Sequence, residues 1–381
     1  MMSTLSPNAV FIGAPQARAD LNTPFLALDA AVLRYNIAAM AAFARSRGMA
    51  LRPHAKTHKS LDIARLQLEA GAVGICCAKL GEAEVFAAGG VTSILITGPV
   101  VGAGAISRLM KLAERHIDLK IAVDSCGNVR TIGQEAARHG VKIGVLIDVD
   151  PGLHRSGVAD GAQAVQVAEA VCSFPALELV GAQFFCGPQQ HIRDYGERRR
   201  AIQDLTARLV AVLAALRQAG HKVPIVSGGG TGTHEIDAEL GILTELQAGS
   251  YVVMDDQYND CVLRAGGETP FRTALSVEAR VISANAAGLA TVDAGIKAFA
   301  TDGAPPRVLE HPFEAATYVF RGDEHGHIVL PAGSNGLAVG AMVRLSIPHC
   351  DPTINLYDAV HVMEDGKLVD LWPVSARGKS A

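Results

Sequence analysis

The chain has 381 residues, more than one ordinary core absorbs, and a formal net charge of −4 with no long run of either sign. That balance argues against nucleic acid and anionic membranes as partners and leaves a small molecule. Apolar stretches such as Val141–Val149 are strand-sized, far short of the roughly 20 residues of a membrane span, and the first twenty residues lack a basic-then-apolar leader, so a cytoplasmic protein is expected.

From Pro24 to about Tyr251 two periods alternate. Short apolar runs bounded by Gly, Asp or Pro read as buried strands: Phe25–Leu28, Met49–Arg52, Gly74–Cys77, Ser93–Ile96, Leu119–Val123, Val145–Val149, Leu179–Phe185, Pro224–Ser227 and Glu245–Gln247. Between them lie helical stretches. The clearest places Ile202, Leu205, Leu209, Val212, Leu213 and Leu216 on one face and stops at Gly220, a C′ glycine. A strand about every 25 residues predicts parallel β/α architecture, and roughly eight repeats favour a closed (β/α)8 barrel over 24–265. From Thr273 the helical period disappears. Ser276–Ser283, Gly288–Asp293, Thr317–Phe320, Ile328–Leu330, Met342–Ile347, Ala359–Met363 and Leu368–Trp372 read as antiparallel strands. They predict a β domain over 270–377, with 1–23 a candidate addition. Seven cysteines, several in apolar runs (Cys76, Cys77, Cys172), read as buried reduced thiols.

In such barrels chemistry sits at the C-terminal ends of strands. Arg52-Pro-His-Ala-Lys56 follows one directly. A lysine there points into the barrel mouth, where burial is expected to lower its pKa and free the amine for a Schiff base. Ser227, Gly228, Gly229, Gly230 and Thr231 follow another strand. Consecutive glycines let amides approach an anion and hydroxyls add donors, so a cofactor phosphate is expected there, with Gly249, Ser250 and Tyr251 supplying more. No P-loop lysine and no dinucleotide spacing is present. His349-Cys350-Asp351 offers an imidazole and a carboxylate to a divalent metal. If the segment is extended, His349 and Asp351 share a side and Cys350 faces away. Arg155 can pair with an anionic oxygen and His191 can act as a general base; read singly, each is as well explained as a surface residue.

Together these segments resemble the D-threonine aldolase and D-serine dehydratase group of fold-type III pyridoxal phosphate (PLP) enzymes, from about Thr23 to the C-terminus. The run ending at Lys56, Gly74–Cys77, Ser227–Gly232, Leu246–Tyr251 and His349-Cys-Asp-Pro-Thr353 with Asn355 and Asp358 carry the likeness; Trp372–Lys379 is similar to D-3-hydroxyaspartate aldolases. The resemblance implies an alanine-racemase-like barrel, a homodimer, PLP on Lys56, and Arg155 against the ring's phenolic oxygen. It makes His191 the base, and His349 and Asp351 the ligands of Mn²⁺ or Mg²⁺, with Zn²⁺ the alternative. The D-serine dehydratases carry cysteine where Asp351 stands. The implied reaction is cleavage of a D-threonine-like D-β-hydroxy-α-amino acid to glycine and an aldehyde. Alternatives are a D-3-hydroxyaspartate aldolase releasing glyoxylate, a D-serine or D-3-hydroxyaspartate dehydratase, and a non-catalytic PLP-binding barrel, which would not need the metal segment. Two positions depart: Phe185-Cys186 replaces Tyr-His, and Ala78 replaces Gln. An apolar wall at 185–186 is expected to favour β-alkyl or β-aryl substrates.

Overall fold

The computed structural model describes residues 6–14 and 18–381. Strands β1 (Phe25–Asp29), β2 (Ala50–Leu51), β3 (Ile75–Cys77), β4 (Ser93–Ile96), β5 (Asp118–Val123), β6 (Ile143–Val149), β7 (Leu177–Phe184), β8 (Ile225–Gly228) and β9 (Glu245–Leu246) come first. They are followed by β10 (Leu275–Ala286), β11 (Leu289–Val292), β12 (Thr317–Phe320), β13 (Gly326–Val329), β14 (Met342–Leu345), β15 (Ala359–Glu364) and β16 (Lys367–Pro373).

Strands β2 to β9 form one parallel sheet in the order β2-β9-β8-β7-β6-β5-β4-β3. An isolated parallel bridge between His54 and Cys76 closes it into a barrel. Its strands are apolar on both faces; Ile94, Leu95 and Ile96 are all fully buried. That two-sided burial is why they appear as unbroken apolar runs rather than as alternation. Helices α1 (Ala30–Ser46), α2 (Leu61–Glu69), α3 (Leu80–Ala88), α4 (Ala103–Ala113), α5 (Cys126–His139), α6 (Gly161–Cys172), α7 (Tyr195–Gln218) and α8 (His234–Leu240) surround it. Ile202, Leu209, Val212, Leu213 and Leu216 are the buried stripe of α7, and Gly220 beyond it has φ 86°, as the periodicity predicts.

The run Phe25–Leu28 does not belong to the barrel. Strand β1 pairs antiparallel with β10 (Phe25 opposite Glu278) and parallel with β15 (Ala27 opposite His361). Its residues are buried on both sides, Leu26 and Leu28 toward the main core and Phe25 and Ala27 toward a second cluster with Leu371. A strand buried on both faces carries no mark of which sheet it joins, so composition alone misplaces it. The second sheet runs β12-β13-β11-β10-β1-β15-β16, with β14 on β10. Except at β1–β15 it is antiparallel. Ala9, Phe11 and Ile12 pack on its Phe25–Leu371 cluster, so described residues before Phe25 do lie on this sheet.

The cysteines are free thiols; Cys76 and Cys77 are buried, but Cys172, at the end of α6, is exposed. No helix among the described residues is long and apolar enough to cross a membrane.

Candidate active site

Below the C-terminal ends of the barrel strands lies a buried polar layer. Arg52 Nε lies 3.0 Å from Glu245 Oε1, which accepts from Ser227 Oγ at 2.6 Å; Gln247 Nε2 donates to Ser227 Oγ at 2.9 Å, and Gln183 Nε2 to Asp148 Oδ1 at 3.0 Å. Gln247 Nε2 also donates to Gln183 Oε1 at 3.3 Å, which joins the two groups into one network and stiffens the floor. Gln183 and Gln247 form part of a cavity of about 560 Å³ that also takes in His54, Lys56, Lys79, Asp124, Arg155 and Phe185. The cavity thus unites Lys56 with Arg155. It does not reach the glycine loop, His191 or the His349 segment.

Lys56 enters the mouth from the turn that closes the barrel, where the Ala55 amide donates to the Cys76 carbonyl at 2.9 Å. Its Nζ leaves the cavity wall to contact Asp351 Oδ2. Burial pulls the lysine's pKa down, but the Asp351 carboxylate outweighs it and the net shift is upward. The expected depression is therefore wrong in this state: a carboxylate from another domain, 295 residues away, compensates the charge. Burial and the neighbouring Lys56 ammonium push His54 down to about 3. Lys59 turns away, toward Asn355 Oδ1 (2.9 Å) and Glu82 Oε1 (3.4 Å).

The glycine loop has a different reason for its glycines than anion approach. A Cβ on Gly228 would fall on the Phe184 carbonyl, one on Gly229 on the Asp237 carboxyl, and those on Gly230 and Gly232 on Gln190. Ser227 donates inward to Glu245, so its hydroxyl is not offered to a ligand. Thr231 Oγ1 accepts from the Tyr251 amide at 2.8 Å, and the Tyr251 phenol takes a hydrogen bond from Gln67 Nε2 at 3.0 Å in the core. Tyr251 is thus a packing residue through its ring. The amides of Gly229 and Thr231 have no acceptor among the described residues. Gly249 is required by close approach, since its Cβ would lie 2.6 Å from Thr57 Oγ1 on the Lys56 turn, and Ser250 Oγ lies 3.4 Å from Asp351 Oδ1.

The His349–Asp351 segment is not extended. His349 is the N-cap of a short helix, α10 (Cys350–Ile354), below α9 (Asp256–Asn259) in chain order only. The Cys350 amide donates to Asp255 Oδ2 at 2.9 Å, and Pro352 sits in the first turn, where it costs no helical donor. Alternation therefore does not govern the side chains. Cys350 is fully buried, with Sγ 3.4 Å from Asp351 Oδ1, and burial raises its thiol pKa far above normal. Burial alone would raise Asp351, but Lys56 holds it well below the usual carboxylate range. His349 Nδ1 lies 2.7 Å from Asp302 Oδ2, an orienting carboxylate that leaves Nε2 free. His191 closes the turn Pro188–His191; burial and the neighbouring His349 lower its pKa, its ring tilts on Tyr258 at 4.5 Å, and its buried Nδ1 has no partner among the described residues. It borders a separate hollow of about 210 Å³ with Arg193, Asp256, Arg307 and Pro348.

At the departing pair, Phe185 lines the main cavity and Cys186 does not; burial pushes its thiol up to about 12. Sequence reading missed Lys79 and Gln247 on the cavity wall, Asp237 beside the glycine loop and Asp302 beside His349. Gln247 closes the predicted strand Glu245–Gln247, which is a usable signal; the aspartates depend on distant partners.

Residues 28–257 match the alanine racemase N-terminal domain, and 274–363 the putative serine dehydratase domain. The chain is 40% identical to a D-threonine aldolase of Arthrobacter, over 97% of this chain and 95% of that one. It is 35% identical to a 3-hydroxy-D-aspartate aldolase of Paracoccus denitrificans, over 94% and 93%. The crystal structure of D-threonine aldolase from Filomicrobium marinum superposes with a TM-score of 0.91 at 36% identity, covering 94% of this chain and 97% of the other.

Proposed function

Because the chain belongs to the fold-type III PLP family built from an alanine racemase N-terminal domain and a serine dehydratase domain, we propose that it cleaves D-β-hydroxy-α-amino acids, D-threonine-like ones first, to glycine and an aldehyde. The observation that carries this is the meeting of Lys56 with Asp351 at the barrel mouth, beside Arg155 on one side and His191 and His349 on the other.

The residues present fit PLP: an amine in a large cavity, a cation opposite it, and two unpaired amides on the glycine loop. They also fit a weakly chelated divalent cation. No group of three or more metal-ligating side chains forms among the described residues, so His349 Nε2 and the Asp351 carboxylate would hold it with positions left open, as a catalytic rather than structural site requires. Mn²⁺ or Mg²⁺ suits this imidazole–carboxylate pair, with Zn²⁺ the alternative. When bound, PLP supplies a sink for the electron pair released at Cα, and the cation lowers the pKa of a neighbouring hydroxyl.

The protein does the rest. With PLP bound, Lys56 would hold its aldehyde carbon through the side-chain amine, and Arg155 would keep a cofactor oxygen anionic. His191, held neutral by burial, takes the proton from the β-hydroxyl and so starts Cα–Cβ cleavage. Phe185, Pro99 and Val101 give the cavity an apolar side, which favours a methyl or aryl substituent over a carboxylate. A cytoplasmic homodimer completes the reading.

The test is a product assay on D-threonine, D-serine and D-3-hydroxyaspartate with added Mn²⁺. Glycine with an aldehyde is expected, and kcat/KM for D-threonine above that for D-3-hydroxyaspartate by about tenfold. A 2-oxo acid with ammonia would make the protein a dehydratase, and a reversed preference would assign Lys79 to the substrate side chain.

A further inference from the structure

One buried side chain joins the His191 turn to the glycine loop. Gln190 is 2% exposed, and its amide is used at both ends. Nε2 donates to Thr233 Oγ1 at 2.9 Å and to the Cys186 carbonyl at 3.2 Å; Oε1 accepts from the Gly232 amide at 2.9 Å. Thr233 Oγ1 also accepts from the Gly230 amide at 3.2 Å and donates to Asp237 Oδ2 at 2.6 Å. The hydroxyl's one proton and two lone pairs are thereby all engaged. Gly230 and Gly232 admit no side chain because Gln190 occupies that space.

By contrast, the His191 ring is held by little of its own. It lies tilted against Tyr258, and its Nδ1 has no partner among the described residues. Its direction is therefore set by the backbone of the turn, and the turn is set by residue 190. We propose that Gln190 is a positioning residue that fixes the base, His191, relative to the loop that would receive the cofactor's phosphate. Base and cofactor are then placed by one rigid unit. This rests on the function proposed above.

The experiment uses the holoenzyme with PLP, Mn²⁺ and D-threonine. Gln190→Leu keeps the volume and removes all three hydrogen bonds. PLP binding, read by absorbance titration, should weaken about tenfold, and kcat at saturating PLP should fall about tenfold with KM within about twofold, each the loss of a buried hydrogen-bond set. If that variant does not fold, Thr233→Val, which removes the hub from the loop side, must give the same paired loss. A folded variant that only melts lower overturns the proposal, and so does one that loses PLP affinity while kcat stays at the wild-type level. Failure of the wild type to bind PLP would instead sink the proposed function and is read in the same titration.

Discussion

Two polar segments stand at the C-terminal end of the barrel, and they differ in how much of their hydrogen-bonding capacity is already spent. In the loop Ser227–Thr233, Ser227 donates to Glu245, Gly230 and Gly232 donate within the network, and Thr233 is saturated. In the segment His349–Asp351, among the described residues, the histidine keeps one nitrogen free, Asp351 is satisfied mainly by Lys56, and the nearby His191 Nδ1 has no partner. The first is scaffold that offers a few leftover amides. The second consists of groups whose partners can be exchanged. Polar residues around a mouth are thus sorted by unspent valence, and not by polarity.

The sharpest way to break this comparison is to remove the exchangeable partner. Lys56→Ala should lower cleavage by about 10³-fold or more, with the protein still folded, since the side chain stands at the mouth rather than in the core. In the wild type, borohydride should fix the PLP label on the peptide containing Lys56; a label on Lys59 or Lys79 would reassign the amine. Next comes the carboxylate. Asp351→Ala should remove activity and Mn²⁺ dependence together, by about 10²- to 10³-fold, the several kcal/mol of a catalytic cation. Cys350→Ser, which keeps a buried donor, should leave turnover within a few-fold of wild type. Chelation should stop turnover while Tm moves by less than about 2 °C; unfolding on chelation would mean a structural metal.

The scaffold side is tested by pH. Burial pushes the Asp237 carboxyl up to about 7, whereas in the unfolded chain it titrates near about 4. Between those values the native state holds a proton that the unfolded state has lost. Stability from this group is therefore full below about pH 4, declines as pH rises toward about 7, and is level above that, at most roughly 4 kcal/mol in all. Asp237→Asn, neutral throughout, should flatten the Tm profile across that window. An unchanged profile would show that the loop's support does not depend on this proton.

Much of the barrel was legible because strands buried on both faces and amphipathic helices leave separate periods, as α7 does up to Gly220. The placement of β1 was not, since Phe25–Leu28 has the composition of a barrel strand and only its pairing with Glu278 and His361 shows otherwise. Within the site, positions after strands pointed to Lys56, Arg155 and His191. What stayed hidden was every effect of a distant partner: Asp351 raising Lys56, Asp255 turning His349–Asp351 into a helix cap, and Gln190 explaining the glycines.

The barrel's closure has a mechanical consequence. β2 pairs with β9 through two residues, and with β3 through the single bridge His54–Cys76, two residues before Lys56. Lys56 therefore sits beside the seam of the cylinder, which the amides of Val73, Cys76 and Ala55 also cross, donating to the Leu51, Pro53 and Cys76 carbonyls. A cofactor held as proposed, by Lys56 and by the loop after β8, would act as a clasp over that seam. Hydrogen exchange at the Ala55 and Cys76 amides, slow in the loaded protein and faster in the empty one, would report the clasp opening and closing.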